Sequence, residues 1–273
     1  MAEVYDTNRF GELYYASRQP TSNHLFLAAN HLAQICRNAN IPYAFLGGWT
    51  VRLRGGSRET QDVDIAVATT MELFRKTLLQ MPRICFPQTY GQTAVNLFVQ
   101  TGMSYDQGYK DTPNLAVQVD VIISGHLNSP TDINNNTSEV ITLPNGFNAR
   151  VVNTLYLLRG KFHAFITRGK TNTNDYQDLV FLISQYQMEM PQYNSHIDKA
   201  YRLAFLDKYA EMNSGNKAFI EWMRQKLGLA EGQSAPVQQQ SSQPEASGAD
   251  WVWDETYRRY RRLVKGEWQW APL

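Results

Sequence analysis

Two glycines and two aspartates stand close together in an otherwise apolar part of the sequence. The apolar run 42–46 stops at Gly47-Gly48, and Asp62 and Asp64 flank the first residue of the next apolar run, 63–68. A strand that ends in two glycines lets the backbone approach a phosphate closely, because neither residue has a Cβ. Residues two apart in a strand share a face, so the two carboxylates can bind the same cation. Hard oxygen ligands at this spacing suit Mg²⁺ or Mn²⁺.

Each of these features also has an ordinary structural explanation. A Gly-Gly pair commonly forms a turn, and an Asp-x-Asp pair commonly lies at a solvated edge or a helix cap. Two acids that interrupt a buried strand are nevertheless costly unless they are paired. A metal site accounts for them, and the order of the motifs therefore favours phosphate and metal binding.

Hydrophobic periodicity gives the elements that must position these residues. The first half predicts a helix over 21–38, strands over 42–46 and 63–68, a helix over 71–80, and β-rich segments over 93–100 and 115–123 around a polar loop, 103–114. The segment 139–143 and a Pro-Asn-Gly turn follow. The second half changes to helical spacing and predicts amphipathic helices over 155–166, 175–187, 195–212 and 216–227.

This pattern predicts an α/β (α+β) fold, in which a small mixed β-sheet core is flanked by helices and followed by a helical C-terminal half. The predicted division is an N-terminal arm (1–20), an α/β core (21–150), a helical domain (151–229), a flexible linker (230–250) and a C-terminal tail (251–273). The linker is rich in Gln, Ser, Pro, Ala and Gly. The tail holds four of the six tryptophans and a cluster of arginines.

Composition excludes several protein classes. The chain has 273 residues, of which 43% are apolar, and this is enough to form a hydrophobic core. Its 26 basic and 25 acidic side chains give a net charge of +1. Because the net charge is near zero, any affinity for a polyanion must come from a local patch. Cys36 and Cys85 are too few for a disulfide framework. With no signal-like N-terminus and no run of membrane-spanning length, we expect a cytoplasmic protein that does not contact membranes.

The motifs resemble a known signature. Gly47-Gly48, Arg58-x-Thr60 and Asp62-Val63-Asp64-Ile65 are similar to the pattern of the DNA polymerase β-like nucleotidyltransferase superfamily, most of all its minimal, AbiEii-type toxin branch. The resemblance implies a third carboxylate on a neighbouring strand, and Asp120 in LAVQVDVII matches it best. The alternative is that this acid pairs with a buried Arg or Lys. Asp106 and Asp111, in a polar loop, are weaker matches.

A second resemblance lies downstream. The residues Lys161, Arg168 and Lys170, followed by Asp175 and Asp178, are similar to the helix-loop-helix of AbiEii-type proteins. Lys161 and Arg168 are seven residues apart on one helix face, so both can point toward a triphosphate. A solvated helix face or a helix C-terminus that favours cations would also account for them. Asp178 is expected to anchor the basic residues.

The resemblance implies a metal-dependent enzyme that moves an NMP from an NTP to a hydroxyl acceptor and releases pyrophosphate. Asp62, Asp64 and Asp120 would be both the catalytic residues and the ligands of Mg²⁺ or Mn²⁺. The remaining candidates would bind the nucleotide: Gly47, Gly48, Trp49, Arg58, Thr60, Lys161, Arg168 and Lys170. Trp49 departs from the family pattern, which has a small residue there, so it either shapes the nucleotide pocket or blocks it.

Three questions stay open at the sequence level. The acceptor is an RNA or tRNA end, a protein or a small molecule, and fold analogy does not choose among them. The rival to an enzyme is a non-catalytic nucleotide-binding or interaction protein that kept the fold. The aromatic and basic tail either docks on the domain surface, which we favour, or binds nucleic acid by stacking and phosphate contact.

Overall fold

The computed structural model describes residues 1–169 and 173–229, and the backbone of three strands beyond them. The helices are α1 (Thr7–Ala16), α2 (Ser22–Asn38), α3 (Gly47–Leu53), α4 (Met71–Leu79), α5 (Thr154–Thr167), α6 (Thr173–Gln185), α7 (Met190–Tyr193), α8 (Lys199–Met212) and α9 (Lys217–Lys226). The strands are β1 (Glu3–Tyr5), β2 (Tyr43–Leu46), β3 (Asp62–Val67), β4 (Ile84–Pro87), β5 (Ala94–Thr101), β6 (Leu115–Ile123), β7 (Ser138–Thr142), β8 (Asn148–Val152), β9 (Val252–Asp254), β10 (Arg259–Val264) and β11 (Glu267–Trp270).

In the part of the chain that the structure describes, β1 to β8 form one mixed sheet with the order β1-β4-β5-β6-β3-β2-β8-β7. Strands β3 and β6 are parallel neighbours at its centre, while β2 and β5 flank them in antiparallel orientation. This mixed α/β architecture confirms the predicted fold class. The site motifs therefore lie on the central strands, where both faces of the sheet are covered.

The two faces of the sheet are packed differently. One face carries Val63, Ile65 and the alternate valines of β6, and it forms the main core with α2 and α4. The opposite face has two separate clusters. Ala44 and Val152 pack with the helices of the second half, from α5 to α9, whereas Phe98 packs with residues of β1 and α1. Side-chain alternation places the acids of β3 and β6 on this second face.

The helices and strands that the sequence predicts are present between residues 21 and 227, with shifted ends at several of them. The helix predicted over 195–212 is α8, which begins later, at Lys199, and is preceded by a 3₁₀ turn, Asn194–His196. The sequence reading missed β1, α1, β4, α7 and β8, most of which are very short. Residues 1–20, predicted as an arm, contribute β1 to the sheet beside β4. The remaining domain boundaries stay predictions.

The chain divides into two units, residues 1–231 and residues 232–273. The three strands described in the second unit are antiparallel, with β10 between β9 and β11. The predicted roles of the tail depend on side chains that lie outside the described residues. The whole of the predicted linker, 230–250, also lies outside them. Among the helices that the structure describes, none is long and apolar enough to cross a membrane.

Trp49 belongs to the main core. Its side chain is 3% exposed, and its ring packs edge-on against Phe45 with 5.0 Å between the ring centroids. A buried indole of this size contributes several kcal/mol through the apolar area that it removes from water.

We expect Trp49→Ala to lower the free energy of unfolding by about 3–5 kcal/mol, because it leaves a cavity that the sheet and helices cannot fill. Urea denaturation followed by circular dichroism measures this change. The matched control is Leu73→Ala on the exposed side of α4, which should stay within about 0.5 kcal/mol of the wild type. Equal stability of the two variants would contradict the core assignment of Trp49.

Candidate functional site

Three carboxylates meet on the second face of the sheet. Asp62 and Asp64 alternate with the buried Val63 on β3, and Asp64 lies directly opposite Asp120 in the parallel pairing of β3 with β6. Asp120 is also the cross-strand neighbour of Asn96 on β5. The structure thus brings together the three acids that the sequence singled out.

Burial and mutual repulsion change the protonation of these acids. Burial, followed by the charges of Asp62 and Asp120, raises the pKa of Asp64 to about 8. The pKa of Asp120 is also raised, first by burial and then by Asp62. Asn96 opposes that rise, since its amide Nδ2 donates to Asp120 Oδ1 at 2.6 Å. The cluster therefore favours a proton or a cation at its centre.

The two glycines make room for the polar side chains around them. Gly47 has a φ of +70°, and a Cβ there would lie 1.8 Å from Asp64 Oδ2. A Cβ on Gly48 would lie 2.6 Å from an Arg58 guanidinium nitrogen and 2.8 Å from Thr60 Oγ1. The motifs that are separated in the sequence therefore pack against one another. The Asp64 side chain requires a glycine at position 47, and the Arg58 and Thr60 side chains require one at position 48.

Arg58 and Thr60 are held in fixed orientations. Thr60 Oγ1 donates to Asp62 Oδ1 at 2.7 Å, which orients that carboxylate. Arg58 donates through Nε and Nη2 to the two oxygens of Asp178, both at 2.8 Å. This bidentate pair links the loop after α3 to α6. The hydrogen bond from Arg58 also explains why the pKa of its guanidinium is raised.

Lys161 and Arg168 extend the same network. Lys161 Nζ is buried and lies 2.7 Å from Asp178 Oδ2 and 3.1 Å from Asp175 Oδ1. Arg168 Nη1 lies 3.4 Å from Asp175 Oδ2, while its side chain stays 60% exposed. Burial acts to raise the pKa of Asp178, but Arg58 and Lys161 hold it below its usual value. The structure thus confirms the contact by which Asp178 was expected to anchor the basic residues.

A cavity of about 690 Å³ is bordered by Asp62, Asp64 and these cations, whereas Asp120 is not among its lining residues. We call it the carboxylate cavity. Its size is in the range of natural ligand sites. Of the predicted site residues, it is lined by Gly47, Gly48, Arg58, Thr60, Asp62, Asp64, Lys161 and Arg168. Tyr156, Leu157 and His163 of α5 are among the further residues of its wall.

Other predicted residues lie elsewhere. Trp49 faces the main core and does not line this cavity. Lys170 lies outside the described residues. Asp106, one of the weaker candidates for the third acid, pairs with Arg83 at 2.9 Å and accepts a hydrogen bond from the backbone N–H of Gly102. Asp111 is exposed in the same loop.

Sequence reasoning missed Asn96. It interrupts the apolar strand β5 much as Asp120 interrupts β6, and that interruption was the available signal. Its role becomes visible only when the register of β5 and β6 places the two side chains opposite each other.

The donor chemistry of the site fits a hard divalent cation. Three carboxylates on neighbouring strands supply oxygen ligands, and a cation would offset the burial and the repulsion that together raise the pKa of Asp64. Among the described residues, however, no three His, Cys, Asp or Glu side chains are grouped closely enough to hold a metal ion as they stand. Metal binding therefore stays a prediction.

A family model described as "Nucleotidyl transferase AbiEii toxin, Type IV TA system" matches residues 32–262, which cover the carboxylates, the Arg-Thr pair and the helical half. The chain belongs to the AbiEii nucleotidyl transferase family. The resemblance drawn from its motifs is thereby confirmed. No curated protein matches the sequence.

Solved structures similar to this AbiEii family member include one protein described as nucleotidyltransferase-like and one described as an antibiotic-resistance factor. An antigenic nucleotidyltransferase-like protein from Paracoccidioides brasiliensis shares 17% identity and a TM-score of 0.50, over 74% of this chain and 94% of that one. The antibiotic-resistance factor ANT(2'')-Ia is similar over 68% of this chain and 94% of that one, with 12% identity and a TM-score of 0.42. The first likeness supports the fold alone.

Gly47→Ala should damage both the fold and the site. Its positive φ costs about 1–2 kcal/mol for any residue with a Cβ, and the clash with Asp64 adds to that. Gly55→Ala is the matched control, because Gly55 has a φ of +96° but open space around a Cβ. We expect urea denaturation to show a larger loss of stability for Gly47→Ala. Equal losses would mean that Asp64 does not constrain this glycine.

Asp64→Asn should stabilise the metal-free protein at high pH. An acid whose folded pKa is about 8 binds more protons in the folded state than in the unfolded state between about pH 4 and pH 8, so its contribution to stability falls as pH rises through that window. Asparagine removes this dependence. The stability difference between variant and wild type, measured in EDTA by urea denaturation, should therefore grow from pH 5 to pH 9. A difference independent of pH would contradict the raised pKa.

Proposed function

We propose that this protein is a divalent-metal-dependent nucleotidyltransferase that moves an NMP from an NTP to a hydroxyl acceptor and releases pyrophosphate. One observation supports this most strongly. Asp62 and Asp64 border the same cavity as three basic side chains, Arg58, Lys161 and Arg168, and Asp120 lies beside Asp64 on the neighbouring strand. A protein that only bound nucleotide would not require the acids in this arrangement.

The basic side of the carboxylate cavity suits a triphosphate. Arg58, Lys161 and Arg168 contact only two acids, Asp175 and Asp178, within their described ion pairs, so this network carries one excess positive charge. The exposed guanidinium of Arg168 can turn toward an anionic ligand. Gly47 and Gly48 allow phosphate oxygens to approach the backbone, and Lys170 completes the proposed nucleotide-binding set.

Asp62, Asp64 and Asp120 would hold Mg²⁺ or Mn²⁺, which would supply charge neutralisation at the phosphates and acidify the acceptor hydroxyl. Thr60 keeps the Asp62 carboxylate oriented, and Asn96 does the same for Asp120. These hydrogen bonds keep two of the three acids aligned before substrate arrives.

The reaction is a displacement at phosphorus. The acceptor oxygen forms a bond to the α-phosphorus, and the bond from that phosphorus to the bridging oxygen of the β-phosphate breaks. Pyrophosphate leaves with the electrons of that bond, and Arg58, Lys161 and Arg168 offset its negative charge. Asp120 accepts the proton of the acceptor hydroxyl.

Asp64→Asn should reduce transfer by at least about 10³-fold, because the variant loses a metal ligand while keeping its shape. The assay follows pyrophosphate release and label transfer from each α-labelled NTP, with Mg²⁺ or Mn²⁺ and total RNA as the first acceptor tried. Asp111→Asn is the control, since Asp111 is an exposed acid of a loop outside the cavity. Wild-type transfer by Asp64→Asn would contradict the proposal.

Binding measurements separate the enzyme from its non-catalytic rival. Mg²⁺ or Mn²⁺ should raise the melting temperature of the wild type and of Asp111→Asn more than that of Asp64→Asn. NTP binding that needs neither Asp64 nor metal, without transfer to RNA, protein or small molecules, would instead support a nucleotide-binding protein that kept the fold.

A further inference from the structure

A second cavity lies beside the third carboxylate. It has a volume of about 400 Å³ and is bordered by β1, the start of α1, and the segment that joins β4 to β5. We call it the aromatic cavity. Asn96 lines it, and the amide of the same residue donates to Asp120 at 2.6 Å. The aromatic cavity and the catalytic carboxylates are therefore joined through one side chain.

Aromatic rings form much of the wall of this cavity. Tyr5, Phe10 and Tyr90 line it. The Tyr5 hydroxyl donates to the backbone carbonyl of Asn96 at 2.9 Å, so the ring is fixed to β5. Phe10 packs against Phe98 and Tyr14, with centroid distances of 6.0 and 5.8 Å. Phe10 is 38% exposed and Tyr90 is half-buried, so these two rings offer an apolar surface on which a flat ring can stack, whereas Tyr5 is only 5% exposed.

The polar part of the wall differs from that of the carboxylate cavity. Among its described lining residues, the aromatic cavity has the uncharged Thr7, Gln88 and Thr89, one acid, Asp6, and no Lys or Arg. The carboxylate cavity, by contrast, has three basic side chains. A triphosphate is therefore disfavoured in the aromatic cavity, whereas an uncharged or cationic group with hydroxyls finds both hydrogen-bonding side chains and stacking surfaces.

We infer that the aromatic cavity is the acceptor subsite and that it takes a hydroxyl-bearing sugar ring. The inference rests on the proposed function. A sugar ring offers apolar C–H faces to Phe10 and Tyr90, and hydroxyls to the threonines and Gln88. A hydroxyl that binds at the Asn96 end of the cavity lies on the Asp120 side of the site, because Asn96 donates a hydrogen bond to that acid. Its oxygen attacks the α-phosphorus, its proton passes to Asp120, and pyrophosphate leaves from the neighbouring carboxylate cavity.

Filling the cavity from its rim tests this inference. Gln88 is exposed and lines the aromatic cavity, so Gln88→Trp narrows it without removing a core side chain. Gln80→Trp makes the same exchange at an exposed position outside the cavity. Thr89→Trp, at the neighbouring exposed rim position, repeats the test if Gln88→Trp does not fold.

The probes are adenosine, the aminoglycoside kanamycin and N-acetyl-tyrosinamide. Saturation-transfer NMR on the full chain without NTP measures their binding independently of catalysis, and label transfer from the preferred NTP measures their use as acceptors. We expect adenosine or kanamycin to bind the wild type and Gln80→Trp, and Gln88→Trp to weaken that binding about tenfold or more. The KM for NTP should not change. Which of the two binds distinguishes a nucleoside end from a free glycoside.

Several outcomes would overturn the subsite. They are equal sugar binding by Gln88→Trp and Gln80→Trp, binding of the tyrosine amide without either sugar, and no binding of any probe to the wild type. Failure of the proposed function gives a different result. In that case the wild type would bind NTP without transferring label to any acceptor, whereas transfer that is equal in the two tryptophan variants counts against the subsite alone.

Discussion

Asp64 is a desolvated carboxylate with two further carboxylates beside it, and most features of the site follow from accommodating it. The cross-strand pairing of β3 with β6 sets Asp64 against Asp120. Gly47 lacks a side chain where a Cβ would overlap the Asp64 carboxylate. Thr60 and Asn96 orient the other two acids by hydrogen bonds. Because like charges repel strongly in a buried site, this arrangement stores an affinity for a cation.

The basic residues of the site are also positioned by charge, in this case by attraction to two buried acids. Asp175 and Asp178 on α6 are almost fully buried, and they pair with Arg58, Lys161 and Arg168. Burying these acids would be unfavourable without their partners. The pairing therefore ties the loop after α3 to α5 and α6, and it sets one wall of the carboxylate cavity. The rigid part of the network is buried, while Arg168 remains exposed at the edge.

Within residues 1–231, two different groups of elements cover the same face of the eight-stranded sheet. The helices from α5 onward cover the β2 and β8 side, and β1 with α1 covers the β5 side. The carboxylates of β3 and β6 lie on the strands between them. One cavity is bordered by cations and the other by aromatic rings, and the two differ in charge because different elements build their walls. This difference separates a donor side from an acceptor side in the proposed reaction.

Local sequence determined the carboxylates, the glycines and most of the elements that carry them. Alternation along a strand puts Asp62 and Asp64 on one face, and helical spacing predicts the α-helices of the second half, because both patterns depend on neighbouring residues alone. The family motif supplied Asp120. Short strands such as β1 and its neighbour β4 were missed, since a three- or four-residue strand has too few positions for a pattern.

Tertiary structure decided the relations between distant residues. The register of β5 on β6 places Asn96 beside Asp120. The packing of α6 against the loop after α3 joins Arg58 to Asp178, and Trp49 packs into the main core. Asn96 and Asp120, like Arg58 and Asp178, are far apart in the chain, so local spacing does not predict their contacts. Local spacing also does not show whether Trp49 faces the core or the cavity. These contacts depend on strand order and helix packing, which are selected by the burial of apolar surface between elements that are distant in the sequence.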